Sequence, residues 1–155
     1  VIGWGLTYEA EMQGVGINVG FVGEFGENEL ATVEDMNAWQ LGASLSYEGF
    51  SIAGSFADWN DSYKTVGTTS GDQYFWNVGV AYEQGAFGAS LGYINSRKTE
   101  GAEINQFRNT VFSVDYAVAP GLVPYGEISF FEADAGGTNV DNEGTVVILG
   151  TYLIF

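Results

Sequence analysis

Between its turns the chain alternates apolar and polar residues one for one, in segments of about ten residues, and no other property of the sequence restricts its fold so tightly. From Trp39 the odd positions Trp39, Leu41, Ala43, Leu45 and Tyr47 are apolar, while Gln40, Gly42, Ser44, Ser46 and Glu48 are small or polar. Successive side chains of a strand point to opposite faces, so this pattern gives one greasy face and one wet face. The same rule sets Tyr74, Trp76, Val78, Val80 and Tyr82 against Asn77, Gly79, Ala81 and Glu83, with Phe75 as the exception. Phe87, Ala89, Leu91 and Tyr93 resume it after a turn, and segments 2–9, 15–25, 50–57, 110–118, 122–131 and 145–155 bring the expected total to about nine strands. Residues 1–155 thus read as a single all-β domain.

The connections alternate in length. EMQG at 11–14, EG at 48–49, EQGA at 83–86 and APG at 119–121 have the glycine or proline of tight turns. Between them lie longer polar stretches, expected to be loops, at 26–35, 58–72, 95–106 and 132–143. SYEGFSIAGSF at 46–56 and AYEQGAFGASLGY at 81–93 are therefore two copies of one hairpin plan, with tyrosines at Tyr8, Tyr47, Tyr82 and Tyr116.

A soluble sandwich also alternates, so three further features carry the distinction. Aromatic residues bracket the apolar face: Tyr8, Trp39, Tyr47, Tyr74, Trp76, Tyr82, Phe87, Tyr93 and Tyr116 form the expected girdle. Eight residues at about 3.3 Å each, tilted about 40°, project to about 20 Å, near the ~25 Å apolar band of an outer-membrane barrel. The opposite face is glycine, serine, asparagine and carboxylate, unlike the apolar filling of a small soluble barrel. Charge is sorted as well: Glu9, Glu24, Glu48, Glu83, Asp115 and Glu127 are assigned to the polar face, as expected if the other meets hydrocarbon, where a midplane Lys or Arg costs about 2 to 4 kcal/mol. Segments 122–131 and 145–155 sort less cleanly, because Val123, Tyr125, Val146, Ile148 and Ile154 put apolar groups on the polar side.

Composition removes several function classes. Four cations stand against twenty carboxylates, a net charge of −16, which leaves no electrostatic basis for binding nucleic acid. Cysteine is absent, which excludes disulfides and thiolate metal sites. The longest apolar run, TVVILGTYLIF, contains Gly150 and Thr151, so no helical span is expected, and VIGWGLTYEA has no secretion-signal pattern. Histidine is absent too, which leaves serine without its usual general base and argues against an enzyme; Glu9 and Glu11 fit a solvated stripe better than an acid–base pair. The glycine-rich stretches 3–5 and 14–20 open no helix and make no phosphate cradle. No cofactor is expected beyond a weak calcium candidate, Asp134, Asp141 and Glu143 in an acidic loop, which lacks the EF-hand order. The four cations, Lys64, Arg97, Lys98 and Arg108, fall in expected loops or at a strand edge, so no basic wall is predicted.

Leu149, Thr151, Leu153 and the terminal Phe155 alternate, and this end resembles the C-terminal assembly signal of bacterial outer-membrane proteins. Together with VDYAVAPGLVPYGEISFFEADAG and DNEGTVVILGTYLIF, it resembles the closing strands of a Gram-negative general porin of the alphaproteobacterial type, most strongly over 108–155. The resemblance implies a multi-pass antiparallel transmembrane β-barrel in the outer membrane, with long loops outside and short turns in the periplasm. It also implies a 16-stranded homotrimer with a water-filled channel, in contact with membrane lipid and lipopolysaccharide. About nine strands do not close an even-numbered barrel, so the chain reads as roughly the C-terminal half of such a protein, with a complete eight- or ten-stranded barrel as the alternative. The expected function is passive diffusion of small hydrophilic solutes and ions, with cations preferred. The rivals are a small closed barrel with a structural or partner-binding role and a secreted acidic calcium-binding β-sandwich.

Overall fold

The computed structural model describes residues 1–67, 70–101, 103–137 and 141–154. Nine strands follow one another: β1 (Ile2–Met12), β2 (Val15–Gly26), β3 (Met36–Tyr47), β4 (Phe50–Asp58), β5 (Ser70–Gln84), β6 (Phe87–Glu100), β7 (Glu103–Tyr116), β8 (Leu122–Asp134) and β9 (Asn142–Leu153). They make one antiparallel sheet in strict chain order, with β1 and β9 at its two open edges. A sandwich needs a second sheet over the apolar face, and all nine strands lie in this one, so the sandwich expectation is overturned.

The tight turns follow from local conformation. Gln13 and Gly14 have φ of 53° and 80°, and Glu48 and Gly49 have 47° and 85°, the two positive values of a type I′ turn whose twist matches that of its strands. The Gly49 carbonyl accepts the Glu83 amide at 2.8 Å, which ties the second hairpin to the third.

Register puts the apolar residues in line. One continuous row of cross-strand partners runs Ala10, Ile17, Leu45, Ile52, Val80, Leu91, Phe112, Ile128, Val147, apolar on all nine strands. Four residues toward the loop end, the row beginning Leu6, Phe21, Leu41, Phe56, Trp76 continues as Asn95, Arg108, Glu132, Glu143. At the other end, Ala10 lies two residues from the end of β1 and Ile128 six from the start of β8. Both borders shift in the same sense, so the apolar band crosses the strands obliquely, as strand tilt in a barrel requires.

Nothing covers that band. Leu41, Val78 and Leu91 remain 46 %, 42 % and 48 % exposed, and Ala57 is the one buried apolar residue among those described. In water, large side chains at this exposure across nine strands would forfeit most of the burial that drives folding; in hydrocarbon they are solvated.

Two expectations about the long connections change, and one about a strand end. Segment 95–106 is not a loop: β6 runs to Glu100 and β7 starts at Glu103, with the ladder unbroken from Phe87↔Tyr116 to Glu100↔Glu103. Its polar composition marks where the hairpin leaves the apolar band, and the ladder persists because water tolerates polar groups on both faces. The expected loop 132–143 is entered from both sides, by β8 as far as Asp134 and by β9 from Asn142, and β7 stops at Tyr116, before Val118. The two remaining long loops interlock: Val33 bridges Thr65, the Glu34 amide donates to the Lys64 carbonyl at 2.7 Å, and the Val66 amide to the Thr32 carbonyl at 2.9 Å. The Ser62 hydroxyl, 2 % exposed, accepts the Asn37 amide at 2.7 Å and donates to the Asn37 carbonyl at 3.0 Å.

Candidate functional site

The polar face is built from small side chains that bond to each other across strands. Beside the apolar row runs Glu11, Gly16, Ser46, Ser51, Ala81, Ser90, Ser113, Glu127, Ile148. Ser90 and Ser113 share a hydrogen bond of 2.8 Å, Asn77 donates to Ser55 at 2.8 Å, Gln40 to Ser55 at 3.3 Å, and Ser129 to Asn109 at 2.7 Å. Such pairs hold side chains against the sheet and leave a surface of small polar groups that water can wet.

Five of the six predicted acids lie on this face. Glu9 pairs with Asn18, Glu24 with Gly3 and Ala38, Glu127 with Ser113 and Ile148. Glu83 and Asp115 flank Gly88 from either side. The Asp115 carboxylate lies over that glycine so closely that a Cβ there would come within 2.5 Å of Oδ1. Glu11, Glu83, Asp115 and Glu127 gather near the turn end, whereas Glu24 stands near the loops. Glu48 is corrected: it occupies the β3–β4 turn, because its left-handed φ of 47° takes it out of the strand.

The cations are also corrected. Lys98 lies on the polar face near the loop end of β6, while Arg97 and Arg108 are strand residues on the apolar-face side, beyond the greasy band. Arg108 pairs with Glu132 at 3.3 Å and with Asp134, which offsets part of the negative charge on that side. Among the described residues no three carboxylates converge as a metal site. Asp134 is turned to Arg108, and Asp141 accepts the Ala135 amide at 3.0 Å, so the calcium candidates are divided between other partners.

All nine predicted girdle residues lie on the apolar face. Tyr47, Tyr82, Phe87 and Tyr116 stand at the turn end, where Phe50, not foreseen, lies 4.3 Å from Tyr82 with its ring tilted by 36°. At the loop end a chain of rings crosses five strands: Trp4 to Phe21 at 5.1 Å, Phe21 to Trp39 at 6.1 Å, Trp39 to Phe56 at 5.5 Å and Phe56 to Tyr74 at 5.8 Å. Trp76 and Tyr93 add a contact at 5.1 Å. Tyr8 is not at a rim: it pairs with Val19, mid-strand. Trp4, Phe21 and Phe56 belong to the loop-end belt, which becomes legible once each strand is placed by register. Leu149, Thr151 and Leu153 line the apolar face of β9, and Phe155 lies outside the described residues.

A sheet of this kind, greasy and uncovered on one side and acidic on the other, is matched over residues 1–136 by the family model described as Gram-negative porin. The chain belongs to the Gram-negative porin family. The family implies a membrane β-barrel of the outer membrane and is not an enzymatic one. The porin chain is also 30 % identical over 184 residues to an uncharacterised protein of Rickettsia conorii, covering 97 % of this chain and 40 % of that protein. An uncharacterised protein of Rickettsia bellii is 29 % identical over 184 residues, with 99 % and 40 % covered. The porin chain thus spans about two fifths of the length of the curated relatives it matches.

Proposed function

We propose that this sheet is part of the wall of an outer-membrane channel for passive diffusion of small hydrophilic solutes and ions, with cations favoured. The observation that carries this is the sorting of the two faces: a row of nine apolar residues beside a row that is small or acidic from β1 to β8. The apolar band would meet lipid, with lipopolysaccharide at the loop-end rim. The polar face would meet the water of the lumen, where Glu9, Glu11, Glu83, Asp115 and Glu127 concentrate cations and repel anions.

The two open edges and the greater length of the relatives support a larger barrel of about 16 strands to which these nine contribute, assembled as a homotrimer as family resemblance suggests. The mechanism needs no moving part and no bound group: selectivity comes from a fixed width and the sign of the wall. Its field weakens as added salt shortens the Debye length from about 10 Å at 0.1 M to about 3 Å at 1 M. Reversal potentials of the full-length protein in planar bilayers under a potassium chloride gradient test this. Cation selectivity that declines with rising salt is expected, and anion selectivity would refute the lumen assignment.

A further inference from the structure

Trp59 sits where neither the apolar band nor a packed core accounts for it. It follows β4 directly, and its backbone is pinned at both ends: its amide donates to the Gln73 carbonyl at 2.9 Å, and its carbonyl accepts the Ser62 amide at 2.9 Å. The ring is turned to the polar side, 5.5 Å from Phe75, which shares that face with its partner Ala57. With Val22, Glu24, Ala38, Gln40 and Ala57 it lines a cleft of about 230 Å³ on the acidic face near the loop end. Glu24 is the sole charged residue lining it. The Gln40 amide is oriented by its bond to Ser55 at 3.3 Å, which uses one of its donors. A second cleft of about 560 Å³ shares Val22 and Gln40 and extends the trough along the sheet to Glu9.

An indole and a carboxylate lining one small cleft, with little donor capacity around them, suit a particular chemistry. A sugar needs several hydrogen-bond donors and acceptors along its edge, and this cleft has few. An organic cation needs an aromatic face, a negative charge and small apolar walls for its methyl groups; tryptophan is the best of the aromatic faces for it. We propose that Trp59 and Glu24 form a binding site for small organic cations of the quaternary ammonium type, at the loop-side entrance of a track leading to Glu9. The site deepens the channel reading and rests on it only for the claim that bound cations go on to permeate.

Choline is the probe, and the full-length protein in detergent the sample. Saturation-transfer NMR on the choline methyl protons is expected to show binding. Trp59→Ala and Glu24→Gln should each raise the dissociation constant about five- to tenfold or more, while Trp59→Phe retains a large part of the affinity. In bilayers, choline should reduce potassium conductance with saturation, and Trp59→Ala should remove the saturation. A conducting channel that neither binds choline nor responds to Trp59→Ala overturns the site and leaves the channel standing. Choline binding lost on Trp59→Ala in a protein that passes no current upholds the site and overturns the channel.

Discussion

At the scale of single residues, glycine is used here for two different reasons. Gly49 has φ of +85°, and a Cβ added to it would meet the Glu83 carbonyl oxygen at 2.2 Å, a backbone atom that no side-chain rotation removes. Gly85 has φ of +62° with nothing within 4 Å of a new Cβ. Gly49→Ala must therefore distort the link between two hairpins as well as strain its own backbone, whereas Gly85→Ala pays only the left-handed penalty. Strain of this kind costs about 1–3 kcal/mol, so Gly85→Ala should fall at the low end and Gly49→Ala at or above the high end. Urea unfolding of the two variants in detergent, followed by tryptophan fluorescence, reads the difference; equal losses would count against the close approach at Gly49.

At the scale of strands and hairpins, period two made β1 to β5 legible because within the apolar band their polar residues fall on one face, while Asn37, Asp58 and Gln84, which break the rule, lie at strand ends. It failed along 95–106, where β6 and β7 pass beyond the band and are polar on both faces: Asn95, Arg97 and Arg108 on one, Ser96 and Lys98 on the other. Without a greasy side, a strand in water and a loop have the same composition. Tyr8 misled for a related reason, since its tyrosine marked a hairpin plan but its distance from the turn depends on a register that one strand does not contain. The assignment of Glu48 to a face failed because the turn residue with positive φ follows the strand without continuing its alternation. The projecting part of the β7–β8 pair carries the ion pairs of Arg108 with Glu132 and Asp134, whose side chains are 36 %, 54 % and 42 % exposed. Solvent screens such pairs, so Asp134→Asn should lower unfolding stability by less than about 1 kcal/mol. A larger loss in the same urea titration would mean that this rim is drier than its exposure indicates.

At the scale of the molecule, what holds the sheet together is divided between the ladder and the surroundings. The seven inner strands are paired with neighbours on both sides and the edge strands β1 and β9 on one, yet the side chains leave almost nothing buried among the described residues, so the solvent on the greasy face must supply what a core supplies elsewhere. The oblique band, the ring belts near its two borders and the acids of the polar face are three consequences of one partition between hydrocarbon and water. Site-directed spin labels test it directly, because residues 1–155 contain no cysteine and contribute no background label of their own. In the full-length protein in bilayers, labels at Leu45, Val80, Leu91 and Ile128 should collide with dissolved oxygen and be shielded from a water-soluble nickel chelate. Labels one residue away, at Ser46, Ala81, Ser90 and Glu127, should show the reverse. Immobile labels at Leu45 and Val80 that neither reagent reaches, as in a dry protein interior, would contradict the account.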